Sequence, residues 1–130
     1  MAQATQKRSM LLLEAQQIAN VILEKLKPLC ERHRCVVAGS VHRKVEHPGD
    51  IEIVCLPKTG MATSPGTMFP IKQNLAIHWL NVQHHKRHGI KIIKGGPRYC
   101  QIMYGSTQVD IFMPVPEQWG RMLDCRRACH

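Results

Sequence analysis

Apolar side chains recur with a helical period at the start of the chain. Between Ser9 and Arg32 they return every three or four positions. This spacing predicts an amphipathic helix with Ser9 as its N-cap and a disturbed last turn at Pro28. The stripe is typical of a helix face packed against a core. Its members are Leu11, Leu12, Ala15, Ile18, Ala19, Ile22, Leu23, Leu26 and Leu29.

Later segments combine short apolar runs with turn residues, which predicts strands. Gly95-Gly96-Pro97 and Gly105-Ser106 mark two tight turns between the last three runs. The predicted strands are 35–38, 50–56, 90–94, 98–104 and 107–113. Two further helices are predicted at 71–88, with Gly89 as C-cap, and at 117–125.

The segment between Pro57 and Pro70 is rich in Gly, Pro, Ser and Thr. It predicts a loop without a core of its own, either a mobile lid or a disordered segment. Taken together, the elements predict an α+β fold. We expect a mixed, mostly antiparallel sheet with helices packed on one face and acidic residues lining the other.

Two carboxylates stand one residue apart at the start of the second predicted strand. Side chains alternate along a strand, so Asp50 and Glu52 are expected to share a face. Adjacent carboxylates repel each other unless a cation lies between them, and Mg²⁺ or Mn²⁺ prefers oxygen ligands. Upstream, Gly39, Ser40 and Arg43 offer a close backbone approach, a hydroxyl and a forked cation. Such a turn could hold a polyphosphate whose oxygens also bind the metal.

These residues carry a resemblance to a known family. Gly39-Ser40, nine intervening residues and Asp50-Ile51-Glu52 resemble the signature of the nucleotidyltransferase superfamily. The stretch AGSVHRKVEHPGDIEIV is similar to the palm domain of the family X DNA polymerases, the group of DNA polymerase beta. That family requires a third acid on a neighbouring strand, and Asp110 matches it. The segment 116–120 also resembles the family's sequence, and the resemblance extends from about Leu13 to Gly120.

The resemblance implies a two-metal mechanism for nucleotide transfer. Two Mg²⁺ (or Mn²⁺) ions, about 3.5–4 Å apart, would lie between three carboxylates. Asp50 and Glu52 would bind both ions, while Asp110 would bind the ion next to the attacking hydroxyl and is a candidate acceptor of its proton. The phosphates of a nucleoside triphosphate would be held by Gly39, Ser40, Arg43 and Gly49. A nucleic-acid 3′-hydroxyl, most simply of DNA, would attack the α-phosphorus and release pyrophosphate.

The chain departs from the family pattern at several points. Glu52 stands where the family usually has Asp, and His42 where it commonly has a basic residue. The usual Thr-Gly-Ser turn after the third acid is absent. We therefore expect one minimal palm domain over residues 1–130, with 1–8 as a flexible tail and without the thumb and lyase domains.

Composition favours a polyanionic partner. Lys and Arg number 18 against nine Asp and Glu, a net charge of +9. The six cysteines follow a polar N-terminus, which predicts reduced thiols and a cytoplasmic protein without a membrane span. Neither the pair His84 and His88 nor the group Cys125, Cys129 and His130 completes a zinc-finger pattern. Two alternatives remain open: transfer to a protein or small-molecule hydroxyl, and a non-catalytic nucleic-acid- or nucleotide-binding relic.

Overall fold

A computed structural model describes residues 11–44, 46, 48 and 50–128. In chain order its strands are β1 (Cys30–Ala38), β2 (Ile51–Pro57), β3 (Thr59–Ala62), β4 (Ile71–Asn74), β5 (Ile90–Gly95), β6 (Tyr99–Tyr104) and β7 (Thr107–Phe112). Its helices are α1 (Leu12–Leu26), α2 (Gly39–His42), α3 (Leu75–Lys86) and α4 (Trp119–Ala128). Short 3₁₀ turns at Lys27–Leu29 and Pro116–Gln118 complete the order.

Five strands form one mixed sheet in the order β1-β2-β7-β6-β5. Strands β2 and β7 run parallel, and the other three neighbouring pairs are antiparallel. The remaining strands, β3 and β4, pair with each other as a separate antiparallel ribbon. The predicted α+β class and the mostly antiparallel mixed sheet are therefore confirmed.

The core lies between one face of this sheet and two helices. Along β2 the buried residues Ile51, Ile53 and Cys55 point to this face, because side chains alternate along a strand. Helix α1 contributes a buried stripe at helical spacing, and α3 contributes Ala76 and Leu80. Burying each large aliphatic side chain contributes roughly 1.5–3 kcal/mol, so this face provides the main stabilisation.

The opposite face of the sheet is partly covered by α4, which differs from the prediction that helices lie on one face. Trp119 is buried against Ala38 and Val54, and Phe112 packs at the edge of the same cluster. Helices α1 and α3 therefore cover one face of the sheet, and α4 covers part of the opposite face. The acidic face is open only where α4 does not reach.

Several predicted boundaries were wrong for identifiable reasons. The first helix ends in the 3₁₀ turn that contains Pro28, and Cys30–Arg34 continues as strand because Cys30 pairs with Pro57. The segment predicted as a loop contains β3, which pairs with β4. Helix α3 begins later than predicted because the Asn74 side chain caps it, accepting from the Ile77 N–H at 3.0 Å.

The ends of the two long helices also differ from prediction. Arg87, with φ of 59°, is the left-handed C-cap of α3, not Gly89. Residue Leu11 precedes α1, and the predicted cap Ser9 and tail 1–8 lie outside the described residues. No helix in the described ranges is long and apolar enough to cross a membrane.

Three free thiols meet in the core where β1 pairs with β2. Cys35 lies directly opposite Cys55, and hydrogen bonds join both thiols to Cys30. The hydrogen bonds to Cys30 and Cys35, together with burial, raise the pKa of the Cys55 thiol above its ordinary value. Burial likewise raises the pKa of Cys100 to about 11. These two thiols are therefore protonated near neutral pH and unreactive as nucleophiles.

Candidate active site

A row of facing residues crosses the sheet at the position of the predicted acids. Glu52 on β2 is the register partner of Asp110 on β7. On either side, Ala38 pairs with Glu52, and Gln101 pairs with Asp110. Neighbouring strands lie about 4.8 Å apart, and register partners share a face. Two of the three predicted carboxylates are thus adjacent on the face opposite α1 and α3.

Asp50 lies one residue before β2, at a bend, and is half-buried. The strand was predicted to begin at Asp50 but begins at Ile51, so the alternation argument does not extend to this side chain. Across residues 11–44, 46, 48 and 50–128, no three His, Cys, Asp or Glu side chains stand together as a group that could hold a metal ion. The structure therefore joins Glu52 with Asp110 without assembling the full three-acid set.

Asp110 is the one buried charged residue among the described side chains, with 7% of its surface exposed. Its Oδ1 accepts a hydrogen bond of 2.6 Å from the Tyr99 hydroxyl and one of 3.4 Å from Gln101 Nε2. Gln108 Nε2 lies 3.3 Å from Oδ1 and 3.2 Å from Oδ2. A carboxylate has about four lone-pair sites, so Oδ2, with only the Gln108 contact in the described part of the chain, can accept a further partner.

Tyr99 holds this carboxylate in place from the neighbouring strand β6. Its ring packs against Phe112 with centroids 5.1 Å apart, which fixes the direction of the hydroxyl. Burial and the hydrogen bond to Asp110 raise the pKa of Tyr99 to about 12. The hydroxyl therefore stays protonated through the neutral range and remains a donor to the carboxylate.

Gly39 provides close contact with the other carboxylate. Its φ is +66°, a left-handed conformation that costs a non-glycine residue about 1–2 kcal/mol. A Cβ at this position would lie 2.8 Å from Glu52 Cδ and 3.1 Å from Glu52 Oε1. Glycine is therefore required here on two counts, and its small size leaves room for the Glu52 carboxylate.

The other predicted phosphate ligands follow Gly39 along the chain. Ser40 lies within α2, and Arg43 follows that helix as its C-cap, with an exposed side chain. The Arg43 N–H donates to the Gly39 carbonyl at 3.0 Å, which closes the short helical turn. Gly49 lies outside the described residues.

The donor set suits a hard divalent cation. Glu52 and Asp110 offer carboxylate oxygens on one face, and Asp50 carries a third carboxylate one residue before the strand. Oxygen donors of this kind are those that Mg²⁺ and Mn²⁺ prefer. The free capacity of Asp110 Oδ2 is compatible with such an ion, and Gly39 allows the Glu52 carboxylate to lie close to the backbone.

The sequence did not reveal the residues that surround Asp110. Gln108 was expected on the same face of β7, but Tyr99 and Gln101 lie on β6 and were not identified as partners. Because Tyr99 and Gln101 are two residues apart on β6, the sequence could have predicted that they share a face. What was missing was the register that joins Gln101 to Asp110.

Replacing Tyr99 with Phe should destabilise the protein by roughly 1 kcal/mol, because Asp110 loses its shortest hydrogen bond while water can partly replace it. In an alkaline titration followed by tyrosinate absorbance, the component near pH 12 should disappear. Tyr104→Phe is the matched control, since the chain has two tyrosines and only Tyr99 bonds Asp110. Equal urea midpoints, or loss of a titrating component other than the one near pH 12, would contradict this role.

Comparison with known proteins adds no further assignment. No protein-family model matches the chain, and no curated protein sequence matches it. A functional assignment therefore rests on the family resemblance and on the acidic row, which is formed by Glu52 and Asp110 with Ala38 and Gln101 on either side.

Proposed function

We propose that the protein is a metal-dependent nucleotidyltransferase of the family X DNA polymerase type. It would transfer a nucleotide from a nucleoside triphosphate to a nucleic-acid 3′-hydroxyl and release pyrophosphate. The fold would then be the polymerase beta-like palm, of which the α+β class is the coarser description. The resemblance indicates the type of reaction, and the acidic row offers carboxylate oxygens that would hold the metal ions.

The single observation that carries the proposal is the parallel pairing of β2 with β7. It sets Glu52 directly opposite Asp110, although 57 residues separate them in sequence. Two carboxylates at adjacent positions on one face repel each other and are retained at a cost unless a cation joins them. Gly39, packed against Glu52, belongs to the same constellation.

Each acid has a distinct part in the proposed reaction. Glu52 and Asp110, joined by Asp50 from the bend before β2, would hold two Mg²⁺ or Mn²⁺ ions. When bound, the ions would offset phosphate charge and lower the pKa of the attacking hydroxyl. Asp110 Oδ2, which keeps a free lone pair, is suited to accept the proton of that hydroxyl. Tyr99, Gln101 and Gln108 orient the carboxylate through neutral hydrogen bonds.

The nucleotide phosphates would lie at the β1–α2 junction. Gly39, Ser40, Arg43 and Gly49 are the residues that the resemblance assigns to them. The exposed Arg43 guanidinium can contact a phosphate bidentately. The role of the protein in such a transfer is mainly to position the reactants and to neutralise charge.

A nucleic acid is the acceptor that the charge distribution favours. Exposed cations lie at both ends of the acidic row: Arg43 and Lys44 follow α2, while Lys94 on β5 is the register partner of Gln101. Lys91 lies nearby on β5, opposite Met103. A polyanionic strand laid across this face would meet cations on both sides of the carboxylates.

The proposal is tested by incubating the purified protein with a gapped DNA duplex, labelled deoxynucleoside triphosphates and Mg²⁺ or Mn²⁺. We expect primer extension on a denaturing gel, with none when EDTA is added. Label found on a protein or a small molecule instead would favour the alternative acceptors. Binding of DNA or nucleotide without any transfer would favour the non-catalytic module and contradict the proposal.

A further inference from the structure

A cavity lies at the opposite end of β2 and β7 from the acidic row. Its volume is about 770 Å³, within the range of small-molecule sites. It is bordered by the last residues of β2, Leu56 and Pro57, and by Met113 just after β7. Glu52 precedes Leu56 by four residues, so the cavity lies roughly 13 Å along the strand from the candidate active site.

The lining carries an excess of positive charge. Arg32, Arg34 and Arg98 border the cavity together with a single acid, Glu31, which gives a formal charge of +2. In the part of the chain that the structure describes, none of the three arginines forms a salt bridge. Guanidinium groups bind phosphates bidentately, so this excess suits a phosphate rather than a neutral ligand.

A β-bulge brings two of these arginines to the cavity. Between Cys30 and Cys35 the edge strand β1 advances five residues while its partner β2 advances two. Within this excursion His33 has φ of 61°, a left-handed conformation uncommon for non-glycine residues. Bulges re-aim side chains, and strained positions cluster at binding sites.

Arg34 is held by an aromatic ring. Its guanidinium carbon lies 5.5 Å from the centroid of the Trp119 ring, within the range of a cation–π contact. Trp119, the first residue of α4, is itself buried against Ala38 and Val54, so the guanidinium rests on a fixed surface. A guanidinium plane fixed in this way is also a surface on which a nucleobase can stack.

The remaining walls are rigid and largely apolar. Four of the lining residues are prolines, which cannot donate a backbone hydrogen bond, and the neutral polar lining is limited to Thr59 and Asn74. The other apolar lining residues are Leu56, Ile77, Met113 and Val115.

We propose that this cavity binds a nucleotide, with its phosphate at Arg32 and Arg98 and its sugar and base against the apolar wall. A phosphate monoester carries about −1.5 to −2 charges at pH 7, which matches the excess of the lining. A free mononucleotide carries such a monoester, whereas a backbone phosphate of a strand is a diester with a single negative charge and matches the excess less closely. The assignment is independent of the proposed nucleotide transfer, because it uses none of the acids or their neighbours.

The test is calorimetric titration of the full chain with adenosine 5′-monophosphate in EDTA, which removes divalent ions from the acidic row. We expect saturable binding below millimolar Kd, with adenosine and inorganic phosphate each at least tenfold weaker. Arg32→Gln and Arg98→Gln should each raise the Kd at least fivefold. Arg121→Gln, which removes an exposed charge on α4, is the matched control and should change the Kd less than twofold.

Asp110→Asn should leave this Kd unchanged, so failure of the transfer reaction and failure of this site are distinguishable. Competition by an oligonucleotide without terminal phosphates would assign the site to a strand, and its absence to free nucleotides. No binding at millimolar concentration would overturn the proposal. The proposal would also be overturned if Arg121→Gln raised the Kd as much as Arg32→Gln and Arg98→Gln, because long-range charge alone would then explain the binding.

Discussion

Replacing Asp110 with Asn should reduce nucleotide transfer at least about 10³-fold, a loss of about 4 kcal/mol in transition-state stabilisation. Asn has nearly the same shape but removes the negative charge beside Glu52 and the proton-accepting Oδ2. The measurement is single-turnover primer extension with saturating triphosphate.

The same substitution should not lower stability. The Asn carbonyl can still accept from the Tyr99 hydroxyl, and a rotation of the Gln108 amide can present its oxygen to the new NH₂ group. Repulsion between Asp110 and Glu52 also disappears, so we expect a urea midpoint equal to or above that of the wild type.

Asp124→Asn is the matched control for charge, because Asp124 is an exposed acid on α4. It should retain activity within twofold of the wild type. A folded Asp110→Asn variant with activity within tenfold of the wild type would show that the acidic row does not catalyse the transfer.

Replacing Gly39 with Ala should impair both folding and activity. The left-handed backbone costs about 1–2 kcal/mol, and the new Cβ would lie 2.8 Å from Glu52 Cδ. The carboxylate must therefore move away from its position opposite Asp110. A displacement of about 1 Å at a reacting centre can cost about 10²-fold in rate, and we expect a loss of that order.

Gly105 separates the two causes. Its φ is +63°, nearly that of Gly39, but an added Cβ would meet no atom within 4 Å. Gly105→Ala should show the backbone cost alone, as a lower urea midpoint with normal primer extension. Equal activity in the Gly39→Ala and Gly105→Ala variants would contradict the assignment of the β1–α2 junction to the site.

Sequence patterns predicted much of the fold because the relevant signals are local. The three strands of the C-terminal half follow from alternating residues and from glycine turns within two or three positions of them. The first helix follows from its apolar stripe. Errors arose where local signals were weak or competing: the first helix was predicted to run to Arg32, yet the chain from Cys30 onward forms strand β1, which pairs with β2. Likewise β3 and β4 lie in a segment rich in turn residues and form only by pairing with each other.

The candidate site divides in the same way. The resemblance singled out Gly39, Glu52 and Asp110, and the alternation of β2 and β7 indicated the faces of the two acids. Their partners could not be predicted, because Tyr99 and Gln101 reach Asp110 only through the register of β6 with β7. Arg34 and Trp119 meet only because α4 folds back over the sheet.

By itself, the sequence determined which residues carry charge, which segments alternate, and where glycine relieves the backbone, since these depend on neighbours in the chain. Tertiary structure decided that β2 lies parallel to β7, that Asp110 is buried under three neutral donors, and that three arginines share a cavity. The reason is physical: strand partners and register are set by burial of whole faces, and contacts between distant residues have no periodic signature in the chain.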